Sequence, residues 1–168
     1  MSGPSPAAAS ELPAATVRFL ERVGDVGIAI DPVVFPADTR TSQQAADALG
    51  CHVAEITKSL VFVADDAPLM VLMAGDRRVD LRLVAETVGA QHVRRAELEE
   101  VRAFSGYSPG GTPPFGHVKA MEVLADRSIT GNDVVWVAAG SPKTVFAIGV
   151  NDLVRLSDAR LVDVAEEV

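Results

Sequence analysis

Ser59-Leu60-Val61-Phe62-Val63-Ala64 and Leu69-Met70-Val71-Leu72-Met73-Ala74 are two apolar runs separated only by Asp65-Asp66-Ala67-Pro68. Short β-branched and aromatic runs joined by residues with turn chemistry read as a hairpin. The pair is expected to form the centre of the sheet, with Asp65 to Pro68 as its turn.

Outward from the hairpin the signals alternate between helix and strand. Upstream, Thr41-Ser42-Gln43-Gln44 has the form of a capping box, followed by a short Ala-rich helix that ends at Gly50. Before it, Gly27 to Phe35 reads as a strand, at a sheet edge because of Pro32. A helix beginning at Ser10 would place Leu12, Val17, Leu20 and Val23 on one face and stop at Gly24. Residues 1–9 hold too few large apolar side chains to pack and read as a flexible tail. Downstream, Asp80 to Val88 and Ala96 to Phe104 read as helices closed by Gly89 and near Gly106, with a short strand at Gln91 to Arg94 between them. Strands recur at Ala120 to Leu124, Val134 to Ala139, Thr144 to Val150 and Arg160 to Val164, with a helix started by Asn151 between the last two. No regular βαβ alternation is present, so the expectation is α+β with a mixed, strongly curved sheet in one domain over residues 10–168.

Bulk properties narrow the function classes. A chain of 168 residues with 48% hydrophobic content can bury one continuous core. Cys51 is the only cysteine, which removes an internal disulfide and a cysteine-rich zinc site and fits a reducing, cytoplasmic setting. The first residues lack the basic and apolar regions of a signal peptide, and no apolar run reaches the roughly 20 residues of a membrane span. A net charge of −8 disfavours sequence-blind binding to a long phosphate backbone, such as DNA or duplex RNA. A grip on a single-stranded 3′ end, which needs few local contacts, is still open.

Two features carry chemistry. Gly106-Tyr107-Ser108-Pro109-Gly110-Gly111-Thr112-Pro113-Pro114-Phe115-Gly116 combines glycines, which permit positive φ and close approach to a ligand, with prolines, which pre-shape the backbone. Free N–H and C=O groups in such a loop can hold a small polar group. The plainer alternative is a rigid connector. Lys58, just before the apolar run, can present a compact ammonium to a phosphate or carbonyl oxygen at the sheet's rim. Its plainer alternative is a solvated strand-end lysine. The only other lysines, Lys119 and Lys143, also flank segments singled out here.

Three segments, in order, resemble the YbaK/ProX-type aminoacyl-tRNA deacylases of the prolyl-tRNA synthetase editing-domain superfamily. Thr57-Lys58-Ser59-Leu60-Val61-Phe62 resembles the family's Lys-Thr/Ser-Leu-Val-Phe strand. Gly75-Asp76-Arg77-Arg78-Val79-Asp80 resembles its Gly-Asp-x-x-Val-Asp turn, and Gly110 to Pro114 its Gly-x-x-x-Pro signature. The resemblance runs from about Thr39 to the C-terminus. It implies a barrel-like mixed sheet ringed by helices, and hydrolysis of wrongly charged tRNA, with small amino acids such as alanine, cysteine or serine as substrates on a tRNA for proline. It further implies that Lys58 orients the 3′-terminal adenosine and its ester. The backbone of Gly110 and Gly111 would polarise the carbonyl. Thr112, Pro113, Pro114, Tyr107, His117 and Gly140 would complete the substrate-binding set. It implies no metal and no cofactor. The implied partners are the aminoacyl-tRNA 3′ end and a delivering synthetase, with neither DNA nor membrane.

One departure stands out. Relatives carry Ser-Ala-Gly, a basic residue and Gly, then an acid on the succeeding strand, whereas this chain has Ala138-Ala139-Gly140-Ser141-Pro142-Lys143-Thr144 with Val145 at the acid's place. A role assigned to that carboxylate does not transfer. His117 is either a base beside the substrate or a polar cap on the loop, Tyr107 either a pocket wall or a packed side chain, and Cys51 reads as a small buried residue. The competing function is a non-catalytic module of the same fold that binds an aminoacyl or nucleotide ligand, or a protein partner.

Overall fold

The computed structural model describes residues 11–35 and 39–168. The expected tail over residues 1–9 and the helix start at Ser10 lie outside them.

Helix α1 (Ala14–Val23) is stopped at Gly24, where it was expected to stop, and Leu20 and Val23 pack against the core as expected, but the most buried positions are others. Thr16 and Phe19 are fully enclosed while Val17 is exposed. The short edge strand β1 (Val33–Val34) is all that forms within the stretch from Gly27 to Phe35. Helix α2 (Ser42–Leu49) begins at the capping box. Thr41 Oγ1 accepts from Gln44 N at 3.1 Å, and Gln44 Oε1 accepts from Thr41 N at 3.2 Å. Thr41→Ala should therefore cost about 1 kcal/mol, read by denaturant unfolding, with Thr41→Ser near wild type.

Strands β2 (Thr57–Ala64) and β3 (Ala67–Ala74) form the predicted hairpin, paired from Thr57–Ala74 to Ala64–Ala67. Its turn is tighter than expected, because Ala67 and Pro68 belong to the strand. Asp65 and Asp66 turn the chain alone, with φ of 45° and 70°, the double positive φ that a two-residue hairpin needs to match strand twist. Aspartate tolerates that region better than most residues. Asp65 is also anchored, since its carboxylate accepts the N–H groups of Gln91 and His92, each at 2.9 Å. Those bonds hold the Asp65 acid below the usual carboxylate range and set β4 (Val93–Arg95) beside β2, shifted slightly downstream of the expected strand.

Helix α3 (Leu81–Val88) is capped by Asp80 and closed at Gly89, and α4 (Leu98–Ser105) is closed at Gly106. After the Gly/Pro loop come β5 (Glu122–Asp126), a 3-10 segment at Arg127–Gly131, β6 (Val134–Ala138), β7 (Thr144–Gly149), α5 (Val150–Ser157) and β8 (Arg160–Val162). The five-stranded sheet has the order β4-β2-β3-β5-β8. Its first three strands are antiparallel and its last three parallel, so it is mixed as expected, with β3 at the centre.

The strands divide between two sheets rather than forming one. A second, antiparallel sheet, β1-β7-β6, stands apart, joined to the first by one bridge between Ile56 and Trp136, and no closed ring of strands forms among the described residues. The reason lies along β2. Strand β4 covers only Phe62 to Ala64, and the rest of that edge faces β6 without a ladder. Alternate faces of the central hairpin feed two cores. Val61, Met70, Leu72 and Ala74 pack toward the second sheet, the Gly/Pro loop and Phe19. Phe62, Leu69, Val71 and Met73 pack with Val84 of α3 and Val164. No helix among the described residues is long and apolar enough to cross a membrane.

Candidate active site

Along the edge of β2 that β4 leaves uncovered, a cavity of about 420 Å³ opens between the two sheets. Several separate pieces of chain build its wall. The capped start of α2 contributes Thr41 and Ser42, the beginning of β2 contributes Thr57, Lys58 and Ser59, the Gly/Pro loop contributes Pro109, Gly110 and Thr112, and the second sheet contributes Trp136 and Val145. Arg40, Lys58 and Arg95 make the described wall cationic although the chain as a whole is acidic, and no carboxylate or histidine is among the described lining residues.

Lys58 is held rather than solvated. Its Nζ donates to the carbonyl oxygen of Arg77 at 2.5 Å, and the side chain is half-buried. Burial first, then the nearby charges of Arg78 and Arg95, lower its pKa, and Asp76 opposes them. A neutral carbonyl acceptor leaves the ammonium's charge uncancelled and its other N–H groups available.

The Gly/Pro loop is locked to the turn after β6 through glycine backbones. Gly140 N donates to Gly111 O at 2.9 Å. A Cβ at Gly111 would lie 2.6 Å from the Ser141 carbonyl carbon, and one at Gly140, where φ is +101°, would lie 2.7 Å from Ala15 O in α1. Each therefore permits a backbone approach that a side chain would block. Thr112 adds a bond from Oγ1 to Ser108 O at 3.1 Å.

Of the residues expected at the site, Lys58, Gly110 and Thr112 share the cavity wall, and Gly111 stands directly behind it. Gly140, Pro113 and Pro114 are buried in the loop's support rather than on the wall. Tyr107 is enclosed, edge-on to Phe19, with its hydroxyl 3.5 Å from Gly116 O. His117 also lies off the wall, its Nε2 2.6 Å from Pro113 O. Because a carbonyl only accepts, Nε2 carries the proton, and the ring closes the loop as a cap.

Burial holds the His117 pKa below its ordinary value, and the bond to Pro113 only partly offsets this. The depressed value means that the unfolded chain binds the extra proton first. His117's contribution to stability should be full above about pH 6.5 and decline as pH falls from there toward the lower folded value. Denaturant unfolding across that window should show a slope that His117→Gln removes.

Sequence reasoning missed Arg40, Arg95 and Trp136. Trp136 is the only tryptophan, and Arg40 was visible only as the residue before a helix start. Val145 was marked for its departure from the family pattern, and it does line the cavity.

A mixed sheet, a second small sheet and a pre-shaped Gly/Pro loop beside a half-buried lysine define the class. The chain belongs to the aminoacyl-tRNA editing domain family, which it matches over residues 36–156. It is similar to the uncharacterized protein YwhH of Bacillus subtilis, 29% identical over 82% of this chain and 88% of that protein. It also resembles part of the proline--tRNA ligase of Limosilactobacillus fermentum, 33% identical over 54% of this chain but only 17% of that enzyme. Among solved structures, a candidate trans-editing enzyme for prolyl tRNA synthetase superposes with a TM-score of 0.88 at 34% identity, covering 94% of this chain and all of that one.

Proposed function

We propose that this protein is a trans-editing hydrolase that removes a small amino acid, such as alanine, cysteine or serine, from mischarged tRNA, with tRNA for proline as the leading substrate. The observation that carries the reading is the cavity itself, where Lys58 and the backbone at Gly110 share one wall. In the reaction, water adds to the ester carbonyl and the bond to the ribose oxygen breaks. That oxygen takes a proton, which leaves free amino acid and a tRNA hydroxyl. Lys58 orients the 3′-terminal adenosine and its ester, and loop backbone groups polarise the carbonyl. An aminoacyl ester is already activated, so orientation and polarisation supply the rate gain without an acidic side chain at position 145. Arg40 and Arg95 extend the positive wall toward an incoming phosphate strand.

A second reading, a non-catalytic module that binds the same ligand, is favoured by Val145, which puts a methyl-bearing side chain where relatives carry an acid. A deacylation screen against a panel of mischarged tRNAs, without added metal, separates the two. Release of a small amino acid supports hydrolysis, and binding without release from any tRNA favours the module.

A further inference from the structure

The turn that receives the Lys58 ammonium is itself held from the far side. Within the loop between β3 and α3, a single backbone bond, Arg77 N to Ala74 O at 3.0 Å, supports the Arg77 carbonyl. Gly75 N donates to Ile56 O at 2.7 Å at the start of the loop, and the segment after β8 holds the rest of it. Asp80 N donates to Val164 O at 2.8 Å, Glu166 N to Arg78 O at 2.7 Å, and Arg77 Nη2 to Glu166 O at 3.1 Å, with a bridge between Val79 and Ala165. That segment is anchored in turn. Val164 is fully buried, and its N–H donates to Asp126 Oδ1 at 2.8 Å. Asp126 is an enclosed carboxylate at the end of β5 whose other oxygen accepts from Ser128 N at 3.0 Å.

We infer that Val164–Glu166 is a positioning element for Lys58, clamping the Arg77–Asp80 turn so that the Arg77 carbonyl holds the ammonium at the cavity wall. A lysine stem has several rotatable bonds, and its ammonium is useful only if they are restrained. A carbonyl can restrain it without cancelling its charge, as a carboxylate would. That carbonyl belongs to a connecting loop, and the hydrogen bonds from residues 164–166 give the loop a fixed place. The element lies beyond residues 36–156, the part of the chain matched to the family, and none of its residues lines the cavity. Its effect on turnover rests on the deacylase reading, whereas its effect on Lys58 does not.

The test uses the full chain with Glu166→Pro, which deletes the N–H donated to Arg78, and Arg77→Met, which keeps the apolar stem but deletes the bond to Glu166. Lysine acylation by a small activated ester, read by peptide mass spectrometry, reports on Lys58, with Lys119 and Lys143 as internal references because they are the only other lysines. In both variants Lys58 should label several-fold faster relative to those two. Steady-state deacylation should fall by about 10-fold or more, mainly in kcat rather than KM, the scale of a modest misplacement. The same substitutions added to Lys58→Ala should cause no further loss, because they act through that residue. Unchanged relative labelling of Lys58 in whichever variant folds would overturn the inference, as would fully additive losses. Faster labelling in a protein that deacylates nothing would sustain the clamp and sink the deacylase reading alone.

Discussion

Lys58→Ala is expected to cut single-turnover deacylation by about 100-fold or more while the protein stays folded, the scale seen when a reacting group loses its positioning. The side chain is half-buried, bonded to a carbonyl and set in a cavity wall, so its removal takes charge from the site without opening the main core. Lys58→Arg keeps the charge and should also be impaired. A guanidinium spreads its charge over a planar fork, and the Arg77 carbonyl sits where a compact ammonium fits. Thermal unfolding of the three proteins, run beside the kinetics, separates a lost site from a lost fold. Full activity in a well-folded Lys58→Ala protein would remove Lys58 from the mechanism and leave the Gly/Pro loop alone.

The largest effect on stability is expected at Phe19. Its ring is fully buried and lies 5.8 Å from both Phe115 and Phe146 and 6.3 Å from Tyr107. These partners come from the Gly/Pro loop and from β7, so one α1 side chain braces the loop from behind. Phe19→Ala should cost about 3–5 kcal/mol, because the rigid loop and the sheet cannot both collapse into the space. For a chain of this size, that corresponds to a fall in melting temperature on the order of 10 °C. Phe19→Leu should recover much of the loss. A cost under about 1 kcal/mol for Phe19→Ala would show that α1 is not part of the loop's support.

Features set by neighbouring residues were legible in the sequence. The hairpin, the capping box at Thr41, the stops at Gly24, Gly50, Gly89 and Gly106, and the loop from Gly106 to Gly116 all depend on local chemistry, and all formed. Pro68 misled because its missing N–H suggested a turn. In the fold it pairs with Val63 one position outside the β5 ladder, which begins at Leu69. The buried face of α1 was legible only in part, at Leu20 and Val23 but not at Val17, for a different reason. Several apolar stripes fit its sequence, and only the aromatic cluster contributed by Phe115 and Phe146 selects the one through Thr16 and Phe19.

The wall of the candidate cavity was legible where motif and geometry coincide, at Lys58, Gly110 and Thr112. Arg40, Arg95, Trp136 and Val145 come together only because the second sheet stands away from the free edge of β2, a long-range outcome that no local pattern encodes. The division into two sheets was hidden for the same reason. Strand signals in the sequence say which residues extend, not which edges meet.

Trp136 makes the central claim directly measurable, because the only tryptophan of the chain lines the proposed substrate cavity. Titration with a non-hydrolysable 3′-alanylamido-adenosine should give a saturable change in Trp136 emission, strongly weakened by Lys58→Ala. Binding detected by calorimetry with no change in Trp136 emission, or with no dependence on Lys58, would place the ligand elsewhere and contradict the assignment of this cavity as the aminoacyl site.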